Sequence, residues 1–173
     1  LIEELLTYAR LDRPQNELHL TTPDFPAWIA AHVEEIQMVN PQRDVTLHKV
    51  VAGDYGALDM RLMERVLDNL VNNALRYSNQ RIQVSLTLQG SRATLQVEDD
   101  GPGIDPEERE RVFEPFVRLD PSRDRATGGY GLGLAIVRLV LEQHGGSAVA
   151  EASPLGGARF SLRWPLLQSV TES

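Results

Sequence analysis

Apolar residues recur at every third or fourth position along some stretches of the chain and at every second position along others. That pattern predicts helices interleaved with strands. Residues 1–12 carry a two-sided stripe, Leu1, Leu5, Tyr8 and Leu11 with Ile2, Leu6 and Ala9, ended by Pro14, Gln15 and Asn16. A helix this short does not hold alone, so its stripe asks for a partner: another helix, as in a dimer, or the domain itself, folded against it. A short strand is expected over residues 18–21, then a helix from about Pro23 built on Ala27, Ile29, Ala30, Val33, Ile36 and Val39 and ended by Asn40-Pro41. Residues 45–51 alternate as a strand, and 55–59 give a further short one, with Asp59 as N-cap of the next helix. That helix, 60–77, is the clearest in the chain, buried through Met63, Val66, Leu67, Leu70, Val71 and Ala74. A hairpin follows, with Ile82, Val84, Leu86 and Leu88 inward, a turn at Gln89-Gly90-Ser91, and Ala93, Leu95 and Val97 inward again. Residues 100–130 form a long loop rich in Gly, Pro and charge, with one short helix over 107–112. A helix over 131–144, buried through Leu132, Ile136, Leu139 and Val140, is capped by Gly145-Gly146. Two closing strands, 147–152 and 158–164, are joined by the turn Pro154-Leu155-Gly156-Gly157, and a tail follows Pro165. This order describes an α+β fold, a two-layer α/β sandwich with a mixed sheet and helices on one face.

Composition narrows the field. The 173 residues carry 17 Lys and Arg against 25 Asp and Glu, a net charge of −8, which argues against nucleic acid as a partner. With no cysteine, disulfide scaffolds, thiolate zinc sites and thiol catalysis are excluded. No apolar run is long enough to span a bilayer, so no membrane contact is expected from this part of the chain. The first residue is Leu rather than Met and no signal-peptide pattern follows, so the chain reads as a piece of a longer protein.

Chemistry concentrates in three places. On the helix 60–77, Asn69, Asn73, Arg76 and Tyr77 fall on a narrow arc beside the apolar stripe. Asparagine is a poor helix former, so Asn69, Asn72 and Asn73 ask for a reason; amide oxygens suit a magnesium ion that keeps its charge for phosphates, and Arg76 suits a phosphate oxygen. A plain solvated face explains them equally well. Asp99 shares the inward parity of Ala93, Leu95 and Val97, while Asp100 points the other way. A carboxylate there needs donors, which an adenine amino group or the following turn could supply. Gly101 and Gly103 permit close approach of a flat ring. Finally, residues 128–134, Gly-Gly-Tyr-Gly-Leu-Gly-Leu, run straight into a helix and suit a polyphosphate, with Arg118, Arg123 and Arg125 within the same loop. Two familiar phosphate motifs fail: Lys49 is the single lysine, which excludes GxxxxGKS/T, and Ile136 stands where GxGxxG requires glycine.

Taken together these segments resemble the motifs of sensor histidine kinases. Asn69-Leu70-Val71-Asn72-Asn73-Ala74 with Arg76-Tyr77 resembles their N box, and Asp99-Asp100-Gly101-Pro102-Gly103-Ile104 their G1 box. Phe113-Glu114-Pro115-Phe116 resembles the F box, residues 129–134 the G2 box, and Gly156-Gly157-Ala158 with Phe160 the closing glycine box. The resemblance covers about residues 18–165 and implies the GHKL (Bergerat) ATP-binding fold shared with gyrase, Hsp90 and MutL. Residues 1–15 resemble the end of the dimerisation and phosphotransfer helix, which makes 16–167 the catalytic domain and 168–173 a tail.

The resemblance implies ATP and Mg²⁺ as ligands. Asp99 would accept the adenine amino hydrogen; Asn73, assisted by Asn69, would ligate Mg²⁺; Arg76, Arg118 and Arg123 would touch phosphate. Tyr77, Gly101, Gly103 and Ile104 would line the nucleotide pocket, and the segment Gly129, Gly131, Leu132, Gly133, Leu134 would hold the phosphates, under a lid over about 101–131. Tyr130, preceded by Gly128, and Ala158 depart from the residues usual there. The phosphoacceptor histidine, in a pattern like H-E-x-R/K-S/T-P, matches none of His19, His32, His48 and His144, so no residue of this chain is assigned to catalysis itself. The implied function is the ATP-binding unit of a two-component phosphorelay transferase. Its implied partners are its own dimerisation domain and a response-regulator receiver. Its implied setting is the cytoplasmic part of a homodimeric bacterial inner-membrane protein. Two alternatives remain: a GHKL ATPase, which needs a glutamate base where Asn69 stands, and a nucleotide-gated interaction module without transfer.

Overall fold

The structure, a computed structural model, describes residues 2–119 and 131–166. Four helices and five strands alternate along them. The order is α1 (Ile2–Leu11), α2 (Phe25–Val39), β1 (Asp44–Val50), α3 (Met60–Tyr77), β2 (Arg81–Gln89), β3 (Arg92–Asp99), α4 (Gly133–Gln143), β4 (Ser147–Ala152) and β5 (Ala158–Pro165). The strands form one sheet in the order β1-β2-β3-β5-β4. β1 runs parallel to β2 and every other neighbouring pair is antiparallel, so the sheet is mixed as the sequence pattern predicts.

The core lies between the sheet's inward rows and the helices. Leu86 pairs with Leu95 and Val84 with Val97, and on the far side of β3 Leu95 pairs with Leu162 and Val97 with Phe160. These residues join the buried stripe of α3, Met63, Val66, Leu67, Leu70, Val71 and Ala74, in one cluster. Full burial of one such large side chain stabilises by about 1.5–3 kcal/mol, so this shared face holds the sandwich together. The opposite face of the sheet is polar, with Arg159 paired to Glu98 at 3.5 Å and Glu151 at 3.2 Å across β3, β5 and β4.

Helix ends form where their caps sit. Asp24 accepts the Ala27 amide at 3.2 Å at the start of α2, and Asp59 accepts that of Leu62 at 3.4 Å at the start of α3. α4 ends with Gly145 at φ 74° and the Gly146 amide reaching back to Leu141 O at 2.7 Å.

Three expectations need correction. The strands expected over 18–21 and 55–59 reduce to one isolated bridge between Thr21 and Leu58. Gly56 at φ 80° breaks the second run, and the chain curls so that Tyr55 is buried beside Phe25 and Trp164. The helix expected over 107–112 is two separate 3₁₀ turns, Pro106–Glu108 and Arg111–Phe113; the first buries no residue, and only the second is anchored in the core, through Val112 and Phe113. α4 begins at Gly133 rather than 131, since Gly131 at φ 76° lies outside right-handed helical space. For α1 the folded-back alternative holds on one face: Leu11 is 5% exposed, while Ile2 on the other face is 75% exposed.

Candidate functional site

A cavity of about 280 Å³ opens between α3, the end of β3 and the start of α4. α3 builds one wall. Asn69, Asn73, Arg76 and Tyr77 all face this space, as their spacing on the helix predicts. The Asn69 Nδ2 donates to the Gly133 carbonyl at 3.2 Å, which ties α3 to the start of α4 and fixes which end of the carboxamide carries the free oxygen. Among the described residues no group of three His, Cys, Asp or Glu could hold a metal ion by itself. Neutral amide oxygens such as those of Asn69 and Asn73 instead fit a hard cation that arrives with its own anionic ligands.

Asp99 closes the far end. It sits opposite Ile82 in the sheet's inward row and is 2% exposed. Its Oδ1 accepts the amides of Gly101 at 2.9 Å and Ala158 at 3.3 Å, and its carbonyl accepts the Gly157 amide at 3.1 Å. Burial raises its carboxyl above the ordinary aspartate range; the two amides oppose this and the charge of Asp100 adds to it. Both side-chain hydrogen bonds fall on Oδ1, which leaves Oδ2 as the acceptor for whatever enters the cavity. A buried single acceptor is selective for a ligand that can donate, because any other ligand strands it.

Asp100 does different work. Its carboxylate accepts the Asn79 amide at 2.9 Å and the Gln80 amide at 3.0 Å, anchoring the loop to the end of α3. Burial raises its pKa, but the amides of Gln80, Arg81, Asn79 and Asp100 together outweigh that and hold it below the ordinary value.

The remaining walls are mostly apolar, with Arg118 the cation among them. Ile104 lines the cavity beyond Gly103, and the Ile104 carbonyl is held by Arg109 Nε at 3.2 Å. Gly103, Arg118, Gly131, Gly133 and Leu134 line it as well. Gly101 and Leu132 stand behind the wall. A Cβ on Gly101 would lie 2.3 Å from the Tyr77 carbonyl oxygen, and the Leu132 side chain is fully buried in the core. Arg123, Gly129, Arg125, Gly128, Tyr130 and the rest of the expected lid over 120–130 lie outside the described residues.

Several lining residues escaped the assignment of site residues from sequence: Glu4, Asn72, Pro102, Val112, Val117 and Leu119, with Ala158 and Phe160 from the closing box. Ala158 and Phe160 were findable, because both follow the inward parity of β5. Nothing local marks Glu4; only the docking of α1 brings it here.

The cavity's surroundings match known proteins closely. Residues 58–168 match the family described as histidine kinase-, DNA gyrase B-, and HSP90-like ATPase. The chain is 63% identical over 172 residues, 99% of its length, to the sensor protein RstB of Escherichia coli strain K12, of which it spans 40%. Among solved structures, ShkA in complex with AMPPNP aligns with TM-score 0.76 at 26% identity, over 95% of this chain and 35% of that one. The ATP-binding domain of PrrB from Mycobacterium tuberculosis aligns with TM-score 0.69 at 26% identity, over 86% of this chain and 98% of that one. From the cavity's motifs, the sheet order and these matches, the chain belongs to the histidine kinase-, gyrase B- and HSP90-like ATPase family.

Proposed function

We propose that residues 16–167 are the ATP-binding catalytic unit of a two-component sensor histidine kinase, and that residues 1–15 end its dimerisation helix. The observation that carries the reading is Asp99, a buried carboxylate lining the cavity whose Oδ1 is spent on backbone amides while Oδ2 takes no hydrogen bond from the described residues. An adenine amino group supplies the donor that Oδ2 needs, and Ile104 and Phe160 offer apolar surface for the ring.

At the other end the phosphates meet Arg76, Arg118, the amides near Gly131 and Gly133, and the N-terminus of α4. Asn69 and Asn73 would hold Mg²⁺ through their amide oxygens. When bound, the ion neutralises phosphate charge and orients the terminal group for in-line transfer. Transfer breaks the bond from the terminal phosphorus to the bridging oxygen and forms one to an imidazole nitrogen of a histidine in the dimerisation domain, with ADP leaving. The residues of this chain position and neutralise, which is most of what phosphoryl transfer asks. Asn69 supports transfer over hydrolysis, since an amide cannot take a proton from water at neutral pH. The phosphohistidine is then the donor to an aspartate of a response-regulator receiver. Among the described residues no helix is long and apolar enough to cross a membrane. Its placement as the cytoplasmic part of a homodimeric inner-membrane kinase belongs to the same proposal.

The test supplies the chain with ATP labelled at the terminal phosphate and a separate helical hairpin carrying the acceptor histidine. Label on the hairpin, absent when Asp99→Asn replaces the wild type, supports the reading. Nucleotide binding with no label transferred favours the interaction module instead.

A further inference from the structure

Two described residues lining the cavity carry carboxylates, Asp99 at the end of β3 and Glu4 on α1. Asp99 is accounted for by its amides. Glu4 is not, and its placement is the product of how α1 docks. The helix faces the domain through Glu4, Tyr8 and Leu11, at i, i+4 and i+7, and is clamped at both ends. At its C-terminal end the Leu11 carbonyl accepts from Gln143 Nε2, and Asn16 Nδ2 donates to Gln143 Oε1 at 2.7 Å. At its N-terminal end Glu3 pairs with Arg65 of α3 at 3.7 Å. α1 therefore lies alongside α4 in the same direction, and Glu4 comes to the end of the cavity where α4 begins. It is half-buried there, unlike its neighbours Glu3 and Leu5, which are exposed.

We infer that Glu4 makes this cavity selective for cation-loaded over metal-free nucleotide, an inference that rests on the nucleotide-binding reading above. Without Glu4, this end of the cavity has Arg76, Arg118 and the N-terminus of α4, which attract a bare polyphosphate, beside the uncharged amides Asn69 and Asn73. A carboxylate in the same partly desolvated space repels uncompensated phosphate charge, and a divalent cation carried in with the nucleotide would cancel that repulsion. Specificity thus comes from a group that penalises the wrong form of the ligand. It depends on α1 being docked, so a displacement of the helix that carried Glu4 away would relax it.

The experiment is calorimetric titration of the full chain with AMPPNP, in magnesium and in excess chelator at constant ionic strength, for wild type, Glu4→Gln and Glu4→Asp. Glu4→Gln is expected to tighten metal-free binding by about three- to tenfold and to leave magnesium-loaded binding within about twofold, so the ratio of the two affinities falls. Glu4→Asp keeps the charge and should retain most of the wild-type ratio, and adenosine should bind all three chains alike. An unchanged ratio in Glu4→Gln overturns the inference and leaves the nucleotide site standing, as does an equal loss of both affinities. A wild type that binds AMPPNP in neither condition overturns the inference and the nucleotide reading together.

Discussion

Gly157 lies so close to Asp99 that a Cβ added there would stand 2.2 Å from the carboxylate Oδ1 and 2.5 Å from the Asp99 carbonyl oxygen. The glycine thus sets how β5 presents its amides to the carboxylate, with Gly157 N bonding the Asp99 carbonyl and Ala158 N its side chain. Both obstructing atoms belong to one rigid strand end, so neither can swing aside. Gly157→Ala should destabilise the chain by about 1–3 kcal/mol, the usual range for overpacking. It should also weaken nucleotide binding at least about tenfold by displacing Oδ2, an amount that corresponds to 1.4 kcal/mol or more. Urea unfolding and titration on the same sample check both.

Asp99→Asn separates stability from binding. A carboxyl whose folded pKa is raised contributes stability that is fully present below the unfolded value, about 3.9, and is lost as pH rises through the folded one. At neutral pH the buried charge is therefore a burden. The Asn oxygen can keep the amides of Gly101 and Ala158, so the variant should be as stable as wild type at pH 7 or more so. Its advantage should shrink as pH falls towards 4. Unfolding curves across that range decide it.

Asp100 should behave in the opposite sense, although it is the next residue. Its folded pKa is held low by the loop amides, so its stabilisation is present above about pH 3.9 and is lost as pH falls through the folded value. Asp100→Asn should lose up to about 1 kcal/mol at pH 7, a figure kept small because the site is partly solvated. The deficit should fade in acid. Denaturant titration at pH 7 and pH 3 makes the comparison.

His144 gives a fourth test. It is 2% exposed, its Nε2 faces the Asp59 amide at 3.1 Å, and its Nδ1 faces the Val140 carbonyl at 2.8 Å. Those partners require a neutral ring protonated on Nδ1. Burial lowers its pKa, while the Val140 carbonyl and the Asp59 charge pull the other way. A base with a depressed folded pKa is protonated preferentially in the unfolded chain. Stability should therefore fall as pH drops below the unfolded value of about 6.5, by at most about 1.4 kcal/mol per pH unit until the folded pKa is reached. In His144→Gln, which keeps an acceptor but does not titrate, this share of the slope should vanish. The comparison of unfolding free energies between pH 7 and pH 5 reads it directly.

Much of this was legible before the fold was known, and for local reasons. The period of α3 placed Asn69, Asn73, Arg76 and Tyr77 on one arc, and the alternation of β3 pointed Asp99 inward, because both patterns are properties of one element. What failed depended on the rest of the molecule. Residues 55–59 alternate like a strand, yet Tyr55 is taken by Trp164, whose Nε1 donates to the Tyr55 carbonyl at 3.0 Å. Residues 106–113 break into two 3₁₀ turns, of which only the second sends side chains, Val112 and Phe113, into the core. Glu4 reaches the cavity only through clamps at Arg65 and Gln143, both far from it in sequence.

The central claim, that this cavity recognises a nucleotide through Asp99, is tested most directly by titrating the chain with AMPPNP in magnesium beside Asp99→Asn. The variant keeps the Oδ1 acceptor and places an N–H₂ donor where the adenine amino group would also donate. Saturable binding by the wild type, weakened at least about a hundredfold in the variant, is the expected result, a loss of about 2.7 kcal/mol. Equal binding by both chains, or no binding by the wild type at millimolar ligand, would contradict it.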